Sequence, residues 1–312
     1  MKRVKASRLV GISMAAVVAM LAVTIVINVR SRTESDTAGK FGYINRDGTV
    51  VIPPQFDLAY SFSEGFAAVE LDERTGYIDS TGRMVIDAIW TAGGPFNEGL
   101  APVSSDGQFG FIGTEGVLVI TPQFDRVGHF DGGIALVAQD GLYGYIDRQG
   151  EFVLPPQYES ARSFSEGLAP VLIDEKFGYI DAEGTIVIPP SFDRAGDFSN
   201  GRAQVMSAAR WGYIDRTGDM IIKPEFVDAR PFADGLSPVQ KGQRWGFANE
   251  DGELAIAPAF FKVKNFSDGI APAKVEVDSL YGYIDRKGEW AINPQFQQAK
   301  PFSENLACVR WP

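Results

Sequence analysis

A nucleophile needs a base beside it and a metal needs several ligands, yet the chain has one His and one Cys from which to build either. His129 precedes Phe130 in a loop, and no neighbouring group positions it as a general base. Cys308 lies in a short apolar stretch and reads as a packed thiol rather than an activated one. Single copies of both residues exclude a disulfide framework, a Cys/His zinc site and a haem attachment motif. The 34 glycines follow no strand-to-helix pattern that would cradle phosphate. Carboxylates are the remaining candidates. Asp79, Asp147, Asp181, Asp215 and Asp285 recur at one spacing, and Glu64, Glu98, Glu166 and Glu304 at another. Aligned into ladders they could hold Ca²⁺. Gly113 interrupts the first set, and Gly132, Asn200, Asp234 and Asp268 the second, which a strict metal ladder would resist. The expectation is a chain with no catalytic residue, metal or cofactor, and not an enzyme.

Those spacings come from a repeat. Gly42, Gly76, Gly110, Gly144, Gly178, Gly212, Gly246 and Gly282 are 34 residues apart six times and then 36. The residue after each is Tyr or Phe, and a second Gly follows six after the anchor. Pro stands twelve after the anchor except at Ala88. An aromatic always stands fourteen after it (Phe56, Trp90, Phe124, Tyr158, Phe192, Phe226, Phe260, Phe296), and Phe always twenty after it (Phe62 through Phe302). Three residues beyond that Phe comes Gly, or Asn305 in the last copy, which predicts positive φ.

In one copy, Phe177–Ile180 and Thr185–Ile188 read as a hairpin around Asp181–Gly184. Pro189-Pro190 is expected to end the second strand. Ser191–Asn200 reads as a loop carrying two Phe anchors, and Gly201–Met206 as a third strand. Past residue 40 no stretch keeps apolar residues at helical spacing. One such unit cannot offset the entropy of ordering itself, so residues 40–312 must share a core across eight copies. Units of 34 residues with two loops hold three strands, fewer than a propeller blade. The fold expected is therefore an all-β array of stacked three-stranded hairpin units, open and solenoid-like. A closed propeller-like ring is the alternative, because the end copies, Phe41–Val69 and Tyr281–Val309, are as complete as the middle ones.

The first forty residues differ. Leu9–Val29 carries no ionisable side chain and at about 1.5 Å per residue would span a bilayer core as a helix. Residues 1–8 hold four basic side chains, which predicts a cytoplasmic tail at 1–8, a transmembrane signal anchor at 9–29 and a linker at 30–39. The repeats would then lie outside the cytoplasm of a single-pass membrane protein. A cleaved signal peptide is the rival reading, with a shorter apolar run and a small-residue cleavage site. Without the six basic and two acidic residues of the first 36, residues 37–312 keep 23 and 38, a net charge of −15. That charge makes nucleic acid an unfavourable partner.

Trp211-Gly212-Tyr213-Ile214-Asp215-Arg216-Thr217-Gly218, with Ile221–Phe226 and Phe232–Val239 after it, resembles the bacterial WG (KWG) repeat, in eight copies over residues 40–312. Only Trp211 and Trp245 keep the family's indole; Phe41, Thr75, Phe109, Tyr143, Phe177 and Tyr281 replace it elsewhere. The resemblance implies a β-rich bacterial repeat protein and supplies no catalytic residues. The function expected is a protein-binding or scaffold module facing another envelope or membrane protein. An accessory or spacer subunit of a membrane complex, or a binder of envelope glycan, is the alternative. Recognition is expected in the variable segments between units: Leu71–Arg74, Ser104–Gln108, Gln139–Leu142, Ser207–Arg210 and Val277–Leu280.

Overall fold

The computed structural model describes residues 38–312, which form strands, turns and loops without a helix. The expected tail at 1–8, the spanning segment at 9–29 and nearly all of the linker at 30–39 lie outside the described residues. Among the described residues no helix is long and apolar enough to cross a membrane.

Thirty-one strands make eight antiparallel sheets, seven of four strands and one of three. The fifth shows the plan: Arg194–Ser199, Arg202–Ser207, Arg210–Asp215 and Met220–Phe226 pair in chain order. These sheets are blades 1 to 7 over residues 58–90, 92–124, 126–158, 161–192, 194–226, 228–260 and 262–296. Blade 8 joins the two ends of the described chain. Gln298–Ala299 and Ala307–Arg310 supply two strands, Phe41–Ile44 and Val50–Phe56 the others, in register from Phe41↔Arg310 to Ile44↔Ala307. The repeats form a closed eight-bladed β-propeller, and the open, solenoid-like array expected from sequence is wrong.

The sequence repeat and the blade are out of phase. Each repeat starts at its blade's third strand, so it ends with the first two strands of the next blade. The last repeat's two strands would be left with open edges unless they met the first repeat's pair. Complete end copies without polar caps are what a ring requires.

Two details of the unit also differ from expectation. The loop expected before the last strand contains a further strand, the first of each blade. It is two residues long in blades 1, 2, 6, 7 and 8, six in blades 3 and 5, and a single bridge, Ala161↔Val171, in blade 4. Prolines do not end the fourth strand: Pro189 and Pro190 lie inside Ile186–Phe192. That strand is the blade's outer edge, where a missing N–H breaks no ladder, and its exposure alternates. Between Phe177↔Phe192 and Tyr179↔Ile188 it bulges towards the third strand. A Cβ on Gly178 would lie 2.6 Å from the Ile188 carbonyl oxygen, so the anchor must be glycine because of close approach, not unusual φ. The expected positive φ after the last Phe is present from Gly65 to Asn305, and the residue before it is left-handed as well (Glu64, φ 55°). Two successive left-handed residues make the tight hairpin between first and second strands.

The core lies between blades. Tyr43, Tyr77, Tyr145, Tyr179, Tyr213 and Tyr283 are fully buried, each against the Phe that precedes the next blade's first hairpin turn; Tyr213 and Phe232 have ring centroids 4.8 Å apart. The phenol oxygens donate onward. Tyr179 Oη reaches Gly196 O at 2.8 Å, Tyr283 Oη reaches Lys300 O at 2.9 Å, and Tyr43 Oη reaches Tyr60 O at 2.8 Å. Ser303 Oγ donates to Phe62 O at 2.6 Å, the contact that Ser63, Ser165 and Ser199 make between other blades. The junction between blades 8 and 1 is thus built like the rest.

Two outcomes follow for the ring. Tyr179→Phe leaves the buried Gly196 carbonyl without its donor and should cost about 1 kcal/mol. A melting point lower by roughly 2–4 °C would record that cost. Cys308 lies in the closing strand Ala307–Arg310, 1% exposed, and burial pushes its thiol pKa up to about 12. Its reaction with a soluble disulfide reagent should track denaturant-induced unfolding; fast labelling of the native protein would show that blade 8 opens by itself.

Candidate functional site

The recurring carboxylates hold backbone. Asp181 Oδ1 accepts from the amides of Glu183 at 3.1 Å and Thr185 at 2.8 Å, fixing the turn between third and fourth strands. In blade 1 the same position is Asp79, where hydrogen bonds led by that of Thr81 hold the carboxyl at about 2. The second set reaches across blades. Glu64 accepts from Gly99 N at 2.8 Å, Glu166 from Gly201 N at 3.0 Å, and Glu304 from Gly65 N at 3.1 Å. Asp234, one of the interruptions of the ladder, does the same for Gly269 N at 3.0 Å. These carboxylates latch blades rather than face one another. Among the described residues no group of three or more His, Cys, Asp or Glu could hold a metal ion.

The period-locked aromatics are core: Phe56, Phe124, Phe62 and Phe96 are each 1–2% exposed. The segments between sequence units are the turns joining second and third strands, on the rim that also carries the junctions between blades. There Asp125 accepts from Asp140 N at 2.9 Å and Asp193 from Ala208 N at 3.0 Å. A second hydrogen bond, from Lys176, holds the Asp193 carboxyl below its ordinary range.

Two further concavities lie beside the first strands of blades 3 to 5. First strands face the ring axis: each is the short edge opposite the exposed outer strand, and neighbouring ones touch through side chains. Arg162 Nε and Nη2 bind both oxygens of Asp197 at 2.7 and 2.8 Å, and Asn265 Nδ2 donates to Pro231 O at 3.2 Å. A cleft of about 350 Å³ between blades 3 and 4 is lined by Arg126, His129, Leu136, Tyr143, Arg162, Ser163 and Asp197. A second, of about 560 Å³ between blades 4 and 5, is lined by Leu172, Phe177, Arg194 and Trp211 and shares Ala161 and Arg162. Both flank the blade whose first strand is a single bridge, and Gly128 and Gly196 stand at the register of Arg162 on either side. The missing strand opens the wall; the space beside the glycines is filled, since a Cβ on Gly128 would clash with Ser163 Oγ and one on Gly196 with Gln204 Nε2.

His129, Ser163 and Asp197 share the first cleft, which sequence reading of His129 alone did not foresee. They do not form a relay. Both Asp197 oxygens are taken by Arg162, and among the described residues no hydrogen bond joins His129 to Ser163. What the clefts offer is ring faces and guanidinium groups. Tyr143, Phe177 and Trp211 are half-buried, whereas Phe41, Trp245 and Tyr281 at the same position of other copies are buried. Sequence analysis noted these residues only as stand-ins for the family's Trp. Arg162 was missed. The available signal was the place eighteen after each anchor, where Tyr60, Gly94, Gly128, Arg162, Gly196, Arg230, Lys264 and Lys300 follow no consensus.

With this geometry the comparisons are consistent. The family model described as WG containing repeat matches residues 41–74, 76–108, 109–143, 143–177, 177–207, 211–245, 245–276 and 281–310. The chain belongs to that family, and its eight repeats build a β-propeller of the kind that serves as a protein-interaction module. Among solved structures, a crystal structure of a eukaryotic initiation factor aligns with a TM-score of 0.58 at 12% identity, covering 86% of this chain and 87% of that one. The dihydro-heme d1 dehydrogenase NirN aligns with a TM-score of 0.50 at 13% identity, covering 80% and 71%. At such identity the likeness concerns the fold alone. No curated protein matches the chain.

One side chain on this side of the ring opposes its surroundings. Asp131 takes the place held by Ser63, Ser165, Ser199 and Ser303, whose hydroxyls bridge blades. Burial raises its pKa, Glu98 and Glu166 add to the rise, and His129 offsets part of it. A raised carboxyl pKa means that the folded state holds its proton longer than the unfolded state. This contribution is fully present below the ordinary aspartate range and is lost as pH rises through the raised value. Asp131→Ser should therefore raise stability at neutral pH, by about 0.5–1 kcal/mol, and less at pH near 4. Melting curves of both proteins across that range test it; an equal difference at every pH would refute the titration argument.

Proposed function

We propose that the propeller is a non-catalytic module that binds another protein through the aromatic and arginine-lined clefts of blades 3 to 5. Tyr143, Phe177 and Trp211 carry the reading, because half-buried Tyr, Trp and Arg around a concave site are the side chains that dominate protein interfaces. Tyr and Trp present large rigid faces at small entropic cost, and Arg162 is already held in place by Asp197. The partner is an envelope or membrane protein, and the propeller sits outside the cytoplasm on a single-pass anchor at residues 9–29. It serves there as the binding part of an accessory subunit. The uninterrupted apolar run and the four basic residues before it support the anchor. The variable turns on the junction rim supply secondary contacts. A second reading, an envelope glycan, rests on the same half-buried rings, since sugars stack on aromatic faces.

The test is affinity purification of the full-length protein from membranes, with quantitative mass spectrometry, for the native chain, Trp211→Ala and Phe177→Ala. A partner in fixed ratio that falls by roughly tenfold or more with either substitution, at unchanged melting temperature, is the expected result. Retention of the partner by both variants would move the interface off these clefts. A native protein that comes down alone but binds immobilised envelope glycan through Trp211 would replace the protein reading with the glycan one.

A further inference from the structure

The same register position that carries Arg162 in blade 4 carries Arg230, Lys264 and Lys300 in blades 6, 7 and 8. The backbone places the three alike: their amides donate to the carbonyls of Pro238 at 3.0 Å, Pro272 at 2.9 Å and Cys308 at 2.9 Å in the adjoining second strands. All three side chains are half-buried on the wall of the axial channel.

Their surroundings lack counter-charge. Arg162 is neutralised by Asp197, which stands one residue beyond the matching position in the following blade. The same place holds Asn265 for Arg230, Pro301 for Lys264 and Ser61 for Lys300, none of them acidic. Among the described residues no carboxylate forms an ion pair with any of the three; Asp228, whose charge acts on Arg230, accepts from the amide of Ala229 at 2.8 Å. Arg230 is pinned by its own donation to Val263 O at 2.7 Å and lies 4.6 Å from the centre of the Trp245 ring. Lys300 Nζ lies 4.1 Å from the centre of the Tyr60 ring. The Lys264 ammonium has neither a hydrogen bond nor a ring among the described residues. Burial lowers its pKa to about 8, and repulsion from Lys300, Lys262 and Arg230 adds to the effect. Burial lowers Lys300 and Arg230 too.

Gathering cations where water is scarce costs stability unless an anion joins them. It is all the more unexpected in residues 37–312, whose net charge is −15. We propose that Arg230, Lys264 and Lys300 form the walls of a site for a compact, multiply charged oxyanion, bound at the ring axis against blades 6 to 8. The ligand is small because the surrounding negative charge repels a long polyanion while a short one is screened within the channel. Phosphate and carboxylate groups satisfy the same donors, Arg230 by its fork and the lysines as point charges. This inference is independent of the protein-binding reading, since it uses other blades and other side chains.

The experiment is titration of the full-length protein with pyrophosphate and, separately, with citrate, followed by calorimetry and melting temperature. Binding in the millimolar range or tighter, weakened by added salt, is expected for at least one probe, and which one responds assigns the ligand to phosphates or polycarboxylates. Lys264→Met and Lys300→Met should each weaken binding by roughly tenfold, while Lys264→Arg retains it. Lys264→Met should also melt higher than the native protein when no anion is present, a gain that a bystander lysine would not give. Absence of binding by both probes, or binding unchanged in the Lys264→Met, Lys300→Met double variant, would overturn the proposal. Shifts of melting temperature that fluoride or chloride reproduce at equal ionic strength would overturn it as well.

Discussion

The aromatic side chain that crosses from one blade to the next, Tyr in six repeats, is the contact on which the ring depends. Each such Tyr is buried completely, and a buried hydroxyl must find an acceptor. The acceptor is the carbonyl of the residue eighteen after the same anchor, which lies in the next blade, as in Tyr145 Oη to Arg162 O at 2.8 Å. One bond thus sets the distance between blades, the height of the first strand and the orientation of the wall-lining residue. The two blades with Phe at this place, at Phe111 and Phe247, keep the ring packing on Phe130 and Phe266 and lose only the bond. The packing is shared by all eight repeats; the phenol adds register.

Closure follows from phase rather than from a special sequence. A repeat that contributes to two blades cannot end without leaving two strands unpaired, and eight copies bring those strands back to Phe41–Ile44. Every junction then keeps the buried aromatic pair, and most add a serine hydroxyl that bridges the blades or an acid that accepts a glycine amide. Because no blade buries its faces alone, opening one junction should expose core on both sides, and stability belongs to the ring as a whole.

Composition and period gave the repeat family, the all-β class and the positive-φ positions, because those depend on residues that recur at fixed spacing. The anchor glycines and the Phe twenty residues later are there for close approach and burial, which any copy reveals. Topology was less legible. The first strand of a blade is often only two residues, such as Leu58–Ala59, and its pattern is too short to separate from a loop. The Pro pair reads as a strand end unless the strand is known to be an outer edge. Counting three strands for four is what favoured the open stack. The clefts were less legible still: they arise where blade 4 lacks most of its first strand. A comparison of copies at the unconserved eighteenth position would have pointed to them, whereas attention to the shared positions could not.

The shared and unshared positions divide the labour of the molecule. Residues one and twenty after the anchor face each other across a blade junction, so a change there is felt by the core, and all copies keep an aromatic. The residue eighteen after the anchor has its backbone fixed by the same bonds, but its side chain meets the axis. It is free to be Gly in blades 2, 3 and 5, Tyr in blade 1 and cationic in blades 4, 6, 7 and 8. A ring built from near-identical units can therefore present an asymmetric inner wall without paying for it in closure. The neutralised Arg162 leaves its neighbourhood to the aromatic clefts, and the unneutralised cations opposite the glycine-lined arc give the channel a charged side. The cost of keeping Lys264 charged and half-buried is borne by contacts that the repeat makes eight times over.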